Sequence, residues 1–278
     1  MRIRTRSTTA KTVAITGGAR GIGYRTAEEL IRRGHRVAIG DIDEARVKQA
    51  ADELGITVVT RLDVTDPDSF KQFLDMVETE LGPLDVLVNN AGVMPTSRTH
   101  EEDDDVTRRQ VEINLLGVIF GTKFALQRML PRRSGHIINT ASLAGELAVP
   151  GLATYCGTKF AVIGFTESAR QEYRKSGVHL STVRPTFTNT ELVAGTSGAK
   201  GLRNAEPEEI ARATANLIEN PRPFVRVTRV AGGVVAATKF VPRRLASGLG
   251  AALGADSVFL EDVDTAARQA YLDRVRKS

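Results

Sequence analysis

Short apolar runs rich in β-branched residues alternate along this chain with longer stretches in which apolar positions return every three or four residues. The runs read as strands at 12–16, 36–40, 57–60, 85–88, 136–140, 178–183 and 224–227. The amphipathic stretches read as helices at 22–33, 44–54, 67–81, 104–130, 154–176 and 207–219. Several boundaries carry their own chemistry. Asp66-Pro67 sets an N-cap ahead of a proline suited to the first helical turn, and Gly34, Gly55, Gly82 and Gly177 stand just past helix ends. Regular βα alternation predicts a parallel sheet with helices on both faces, because right-handed crossovers place successive helices there.

The rhythm begins at residue 11 and stops near residue 230. Three segments are therefore expected: a flexible basic N-terminus (1–10), one α/β domain (11–230) and a C-terminal appendage (231–278). A chain of 278 residues can bury one good core. The formal charge of +5 invites a nucleic-acid partner, but the basic residues are dispersed apart from Arg2, Arg4 and Arg6, Arg243-Arg244, and Arg274 to Lys277. With no Trp and 5% aromatics a base-stacking platform is poorly supplied, so no nucleic acid is expected. The single cysteine, Cys156, excludes an intrachain disulfide and any cysteine-cluster metal site. No apolar run approaches the roughly 18 residues a bilayer span needs, and the start lacks a secretory apolar region; a cytoplasmic location is expected.

At the junction of the first strand and first helix the chain reads Thr16-Gly17-Gly18-Ala19-Arg20-Gly21-Ile22-Gly23. Gly17 permits the tight turn, Gly21 lets backbone approach a pyrophosphate, and Gly23 lets helix and strand pack closely. The helix N-terminus at Ile22 offers free N–H groups and the positive end of a dipole. Asp41, followed by Ile42, ends the second strand 18 positions after Gly23, where a carboxylate can grip ribose hydroxyls. Its plainer reading is a cap for the following helix. Asp63-Val64, after the third strand, could flank an adenine ring or simply form a strand-end turn. A carboxylate at position 41 repels a 2′-phosphate and favours NAD over NADP, whereas Arg20 could reach that phosphate; with Ile at position 42 the phosphate finds a single obvious cation.

Tyr155 and Lys159 lie four apart near a helix start and share one face. A phenol with a free pKa near 10 is a poor base at neutral pH, and a neighbouring ammonium together with the positive charge of an oxidised nicotinamide would favour its phenolate. Ser142, thirteen residues earlier, ends the fifth strand. Ligands of open parallel sheets lie beyond the carboxyl ends of the strands, and that edge collects Gly17, Asn90, Ser142 and Pro185. Ser142 lacks the Gly-x-Ser-x-Gly surroundings of a hydrolase nucleophile, and none of the four histidines occupies a triad position.

On these motifs the chain resembles the classical short-chain dehydrogenase/reductases over roughly residues 11–230. Thr16 to Gly23 is similar to that family's Thr-Gly-x-x-x-Gly-x-Gly turn, and Asn89-Asn90-Ala91-Gly92 to its Asn-Asn-Ala-Gly element; Asn114, Ser142, Tyr155 and Lys159 match its catalytic positions. The resemblance implies a Rossmann-like doubly wound sheet of order 3-2-1-4-5-6-7 and hydride exchange between a nicotinamide cofactor and a secondary alcohol or ketone. It implies Tyr155 as general acid/base and Ser142 orienting the substrate oxygen. Lys159 would bind the nicotinamide ribose and lower the tyrosine pKa, and Asn114 would hold a relay water. Asn90, Ala91, Gly92, Pro185, Thr188 and Thr190 would complete the cofactor contacts, and the helices 104–130 and 154–176 would pair across a two-fold in a homodimer or homotetramer. Two departures stand out: Thr186 replaces the glycine usual after Pro185, and the chain continues well past its last strand.

Two rival functions share the fold. A non-catalytic dinucleotide-binding scaffold or sensor would lack the proton-transfer residues, all four of which are present. A lyase or epimerase with tightly held NAD tends to carry a Gly-x-x-Gly-x-x-Gly turn, whereas Arg20 takes the middle position here. The acidic run 101–105 reads as a solvated helix N-terminus, and no metal site is expected. Cys156 reads as a packing residue. Expected pocket walls at 93–100, 143–152 and 187–202 are mostly apolar, pointing to a hydrophobic small-molecule substrate. The tail 232–254 mixes apolar and basic residues; packing over the substrate opening suits its glycines better than a peripheral membrane helix.

Overall fold

The computed structural model describes residues 10–193, 195, 203–228, 232–233, 259–260 and 264–277. The basic residues 1–9 and nearly all of the 232–254 stretch lie outside the described residues, and with them the membrane-contact reading.

Seven strands form one parallel sheet: β1 (Thr12–Thr16), β2 (Arg36–Asp41), β3 (Val58–Arg61), β4 (Val86–Asn89), β5 (Gly135–Thr140), β6 (Val178–Pro185) and β7 (Phe224–Val227). Their order is β3-β2-β1-β4-β5-β6-β7, as the resemblance implied. β1 pairs with β2 on one side (Ala14 opposite Ala38) and with β4 on the other (Ala14 opposite Leu87). The connections therefore switch direction at β1, opening a crevice beyond its carboxyl end.

The strands are apolar at successive positions because both faces of the sheet are covered. Val13, Ile15, Val37, Ile39, Val86, Val88, Ile138 and Val183 point to one core, with residues of α1 (Gly21–Arg32), α2 (Glu44–Leu54) and α7 (Pro207–Glu219). The alternating residues Ala14, Ala38, Leu87, Ile137 and Leu180 point to the other, against Phe70, Phe73, Leu74 and Val77 of α3 (Pro67–Leu81) and Phe124, Ala125 and Met129 of α5 (Gly117–Met129). The helix ends follow the expected chemistry. Asp66 caps α3 by accepting from the Asp68 N–H, and Gly34, Gly55, Gly82 and Gly177 all have positive φ.

One expected helix differs. The 104–130 stretch divides into α4 (Asp104–Val111), a π-helical turn (Glu112–Leu116) and α5. A π-turn adds a residue to the helical ring without interrupting the apolar pattern, so periodicity does not reveal it. The remaining helices are α6 (Ala153–Glu172), which opens one residue before the expected start, and α8 (Thr265–Lys277), which the βα rhythm did not foresee. No helix among the described residues is long and apolar enough to cross a membrane, and none of their side chains form a cluster suited to a metal.

Candidate active site

The glycine turn sits in the crevice at β1, braced from β4. Asn90 donates through Nδ2 to the carbonyls of Thr16 (3.0 Å) and Gly17 (3.1 Å), and the Thr16 hydroxyl accepts from the Asn90 and Ala91 N–H groups, both at 3.0 Å. Thr16 is thus as much a part of this element as the glycines, a role spacing alone did not expose. Gly17 and Gly21 have φ of +67° and +51°, and a Cβ at Gly23 would come to 2.0 Å from the Gly17 carbonyl oxygen. Such a cradle, formed of backbone and ending in the exposed N–H groups at the start of α1 by Ile22, fits a pyrophosphate. Thr190 lies across it: a Cβ at Gly21 would meet the Thr190 methyl at 3.2 Å.

Asp41 closes the crevice at the end of β2. Its carboxylate accepts from the Ala19 N–H (3.1 Å) and the Asp43 N–H (3.2 Å), and burial foremost holds its pKa above the usual carboxylate range. The helix cap is Asp43, which accepts from the Arg46 N–H, so capping does not account for Asp41; Ile42, half-buried, joins the two. Arg20 is paired with the Asp43 carboxylate and, at 3.3 Å, with Glu191. The cation that could have met a 2′-phosphate is therefore already engaged on two carboxylates.

At the next strand end, Asp63 turns its carboxylate onto Thr65, accepting from its N–H (2.9 Å) and hydroxyl (2.6 Å), with Arg109 at 3.8 Å. The strand-end turn is the role seen for the Asp63 side chain, while Val64 is buried against Gly117. Thr188 is buried and donates to the Thr186 carbonyl (2.9 Å). The departure at Thr186 is accommodated in the backbone, its N–H donating to the Val227 carbonyl beside Pro185 at the end of β6.

The four residues expected to handle the proton converge at the ends of β4 and β5. Asn114 stands in the π-turn, fully buried, accepting from the Val93 N–H (2.8 Å) and donating to the Val93 carbonyl (2.8 Å) and the Thr158 hydroxyl (3.3 Å). Gly92 makes this possible, since a Cβ there would lie 3.1 Å from Asn114 Oδ1 and 3.5 Å from Lys159 Nζ. Lys159 donates to the Thr140 carbonyl (2.9 Å), and its Nζ is 5.7 Å from the centre of the Tyr155 ring. Ser142 accepts from the Ala144 N–H (3.1 Å), donates to the Pro185 carbonyl (3.5 Å) and stands close enough to Tyr155 to favour its ionised form.

Burial sets the electrostatics of this cluster. It lowers Lys159 to about 8, still mostly ammonium at neutral pH, and raises Tyr155 well above an ordinary phenol, with Ser142 offsetting only part of that rise. In the protein alone, desolvation of the phenolate dominates. The lowering expected from Lys159 together with an oxidised nicotinamide concerns the loaded enzyme.

A family model described as short chain dehydrogenase matches residues 11–200. The chain belongs to that family. Among relatives, the cis-4-hydroxycyclohexanecarboxylate dehydrogenase of Sinomonas cyclohexanicum is 38% identical over 243 residues, covering 81% of this chain and 97% of that protein. The 17-beta-hydroxysteroid dehydrogenase 13 of Mus musculus is 35% identical over 232 residues, covering 81% and 76%. Among solved structures, an alcohol dehydrogenase from Thermococcus sibiricus complexed with 5-hydroxy-NADP superposes with a TM-score of 0.70 at 29% identity, covering 79% of this chain and 96% of that one. A short chain dehydrogenase/reductase from Burkholderia phymatum in complex with NAD has the same fold, with a TM-score of 0.75 at 24% identity over 82% and 92% of the two chains. This short-chain dehydrogenase is a nicotinamide-dependent oxidoreductase acting on alcohol and ketone groups.

Several residues around its site escaped sequence reasoning. Glu146, just after the Ser142 loop, is buried between Arg184 (2.9 Å) and Arg226 (2.7 Å) and ties that loop to β6 and β7. Glu102, in the acidic run read as solvated, accepts from Thr107 and Thr154 hydroxyls (both 2.6 Å) and from Gln110 (3.1 Å). It thereby fixes the residue before Tyr155. Cys156 packs with Met94, Leu152, Tyr155 and Phe259, the packing role expected of it, and Phe259 comes from the tail. A glutamate among charged neighbours gives no sign that its partners are buried; the α8 residues had no periodic signal to place them.

Proposed function

We propose that this short-chain dehydrogenase interconverts a hydrophobic secondary alcohol and its ketone, prefers NAD over NADP, and uses Tyr155 as its general acid/base. The observation that carries the reading is the convergence of Ser142, Tyr155 and Lys159 beside the glycine cradle, inside an otherwise apolar cluster. Gly17, Gly21 and Gly23, with the N-terminus of α1, would hold the pyrophosphate, and Asp41 the adenosine ribose. Asn90 and Ala91 brace that cradle, Lys159 would hold the second ribose, and Thr190 the far end of the dinucleotide.

When bound, the nicotinamide supplies the acceptor or donor of hydride at the substrate carbon. Ser142 orients the substrate oxygen. In the reductive direction Tyr155 Oη–H donates its proton to that oxygen; in the oxidative direction the phenolate takes it back. Lys159, held by the Thr140 carbonyl, keeps a positive charge beside the ring and favours the phenolate. Asn114 fixes the Val93 backbone next to the lysine and carries the proton path outward.

Support for NAD comes from the engagement of Arg20 by Asp43 and Glu191, which leaves the Asp41 carboxylate as the group facing an adenosine ribose. Support for an apolar substrate comes from Met94, Val149, Leu152, Phe187 and Leu192 around Tyr155, and a relative named as a hydroxysteroid dehydrogenase agrees with it. The protein assembles as a homo-oligomer through α5 and α6: Phe160 is 46% exposed, and a Cβ at Gly157 or Gly164 would meet nothing.

A thermal-shift titration with NAD(H) and NADP(H) in parallel tests the cofactor, with a larger shift expected from NAD(H). Tyr155→Phe tests the chemistry: turnover is abolished while the cofactor shift persists. Substantial residual turnover would remove Tyr155 from its role.

A further inference from the structure

We infer that the C-terminal helix α8, together with Phe259, forms the substrate-facing wall of the Tyr155 pocket, and that Phe259 and Tyr271 set which alcohols fit. This rests on the dehydrogenase reading above and assigns the specificity of the same site to residues well beyond the last strand.

Three contacts carry it. Phe259 is 2% exposed and packs in one cluster with Tyr155, Cys156, Met94 and Leu152; its ring lies 5.3 Å from that of Phe187, and it sits so close to Gly151 that a Cβ there would be 3.0 Å from its own. The Tyr271 hydroxyl accepts from the Met94 N–H at 2.6 Å. It lies near enough to Tyr155 to disfavour ionisation of that phenol. Arg268, also 2% exposed, donates to the Leu192 carbonyl (2.7 Å) and to the Met94 carbonyl, with its guanidinium 4.8 Å from the Tyr271 ring centre.

Met94 and Leu192 belong to two different walls of the pocket, one following β4 and the other following β6. Arg268 and Tyr271 bond both through backbone groups, so α8 fixes the spacing between those walls whatever side chains they carry. Phe259 then packs in the buried cluster around Tyr155. A substrate that reaches the tyrosine hydroxyl must share the space there with Phe259, which makes the ring a size filter. One apolar group more or less in such a pocket discriminates substrates by about 10- to 200-fold.

The test uses full-length protein, the variants Phe259→Ala, Tyr271→Phe and Gln269→Ala, and two readouts. The first is the kcat/KM ratio for androsterone over cyclohexanol with NAD. Phe259→Ala is expected to raise it about tenfold and Tyr271→Phe to change it about threefold through KM, with the NADH Kd unchanged and Gln269→Ala, on the exposed side of α8, without effect. The second is the rate at which a maleimide labels Cys156, the single thiol of the chain. It should rise about tenfold in Phe259→Ala, since removing the ring opens the cluster that buries the sulfur. Unchanged selectivity in both variants, or unchanged labelling in Phe259→Ala, overturns the inference. Tyr271→Phe, which keeps its ring, decides if Phe259→Ala does not fold. A wild-type protein that oxidises neither alcohol counts against the dehydrogenase reading instead, and the labelling comparison still decides the wall.

Discussion

Replacing Gly23 by alanine tests the cofactor cradle at its tightest point. A Cβ there would lie 2.0 Å from the Gly17 carbonyl oxygen and 2.7 Å from Asn90 Nδ2, about 1 Å inside the closest approach such atoms make. Helix α1 cannot yield, because Ala27 and Leu30 on the same helix are fully buried in the core. The turn must move instead. Moving it stretches the two bonds that Asn90 makes to the Thr16 and Gly17 carbonyls, each worth about 0.5–1.5 kcal/mol. The combined loss of roughly 1–3 kcal/mol converts to about a fivefold to 150-fold weaker Kd if the displaced turn no longer meets the pyrophosphate. NADH fluorescence titration measures this directly, and a thermal melt without cofactor reports the strain in the fold. A Kd within twofold of wild type, with an unchanged melt, would show that the turn is not the phosphate cradle.

Three further substitutions probe other parts of the molecule. Asp41→Ala removes the carboxylate at the adenosine end and should raise the NADP-to-NAD ratio of kcat/KM at least tenfold; an unchanged ratio would place cofactor choice elsewhere. Glu146→Ala leaves Arg184 and Arg226 without their shared carboxylate and should cost about 3–5 kcal/mol in urea denaturation, whereas a loss under about 1 kcal/mol would show the network to be dispensable. His136, buried on β5 and hydrogen-bonded to Ser181 at 2.8 Å, has its pKa lowered by burial to about 3, below its unfolded value. The unfolded chain therefore binds the extra proton, and the stability present above pH 6.5 is lost as pH falls toward 3, by about 2 kcal/mol at pH 5. His136→Asn should lose correspondingly less between pH 7 and pH 5, and equal losses in both proteins would refute the assignment.

The parts of the molecule that were legible share one physical property: they repeat. Strand and helix periods are written into the 12–16 and 178–183 runs and the 67–81 stretch because each buries a face against a layer whose position is fixed by the βα order. The residues at the carboxyl edge were legible because Gly17, Asn90, Ser142 and Tyr155 stand at element ends that the same order brings together. What failed to show was local to three dimensions. Asn114 was placed on a helix but not in a π-turn, since an added residue in one ring leaves the flanking apolar positions in register with their own halves. Arg20 looked free because its partners, Asp43 and Glu191, come from two other loops. The rise of the Tyr155 pKa in the protein alone was not legible, because desolvation leaves no mark in sequence.

The tail poses the sharper question of what holds α8 against a domain whose fold is complete without it. One tie is the pair between Arg274 and Glu191 (2.8 Å), which also meets Arg20 and so links α8 to the cofactor turn. Its side chains are 46% and 57% exposed, however, and an ion pair so placed contributes about 0–1 kcal/mol. The second tie is apolar and buried: Phe259, Tyr271 and Val275 are each under a tenth exposed, and burying side chains of this size contributes about 1.5–3 kcal/mol each. The third is Arg268, whose desolvated charge would be costly without its bonds to the Leu192 and Met94 carbonyls. Magnitude therefore gives the seat of α8 to its buried face, not to the surface pair. Two of the buried groups, Phe259 and Tyr271, are the ones inferred above to meet a substrate. A bulky alcohol entering the pocket must then displace contacts that secure α8, so substrate size and the seating of this helix cannot vary independently.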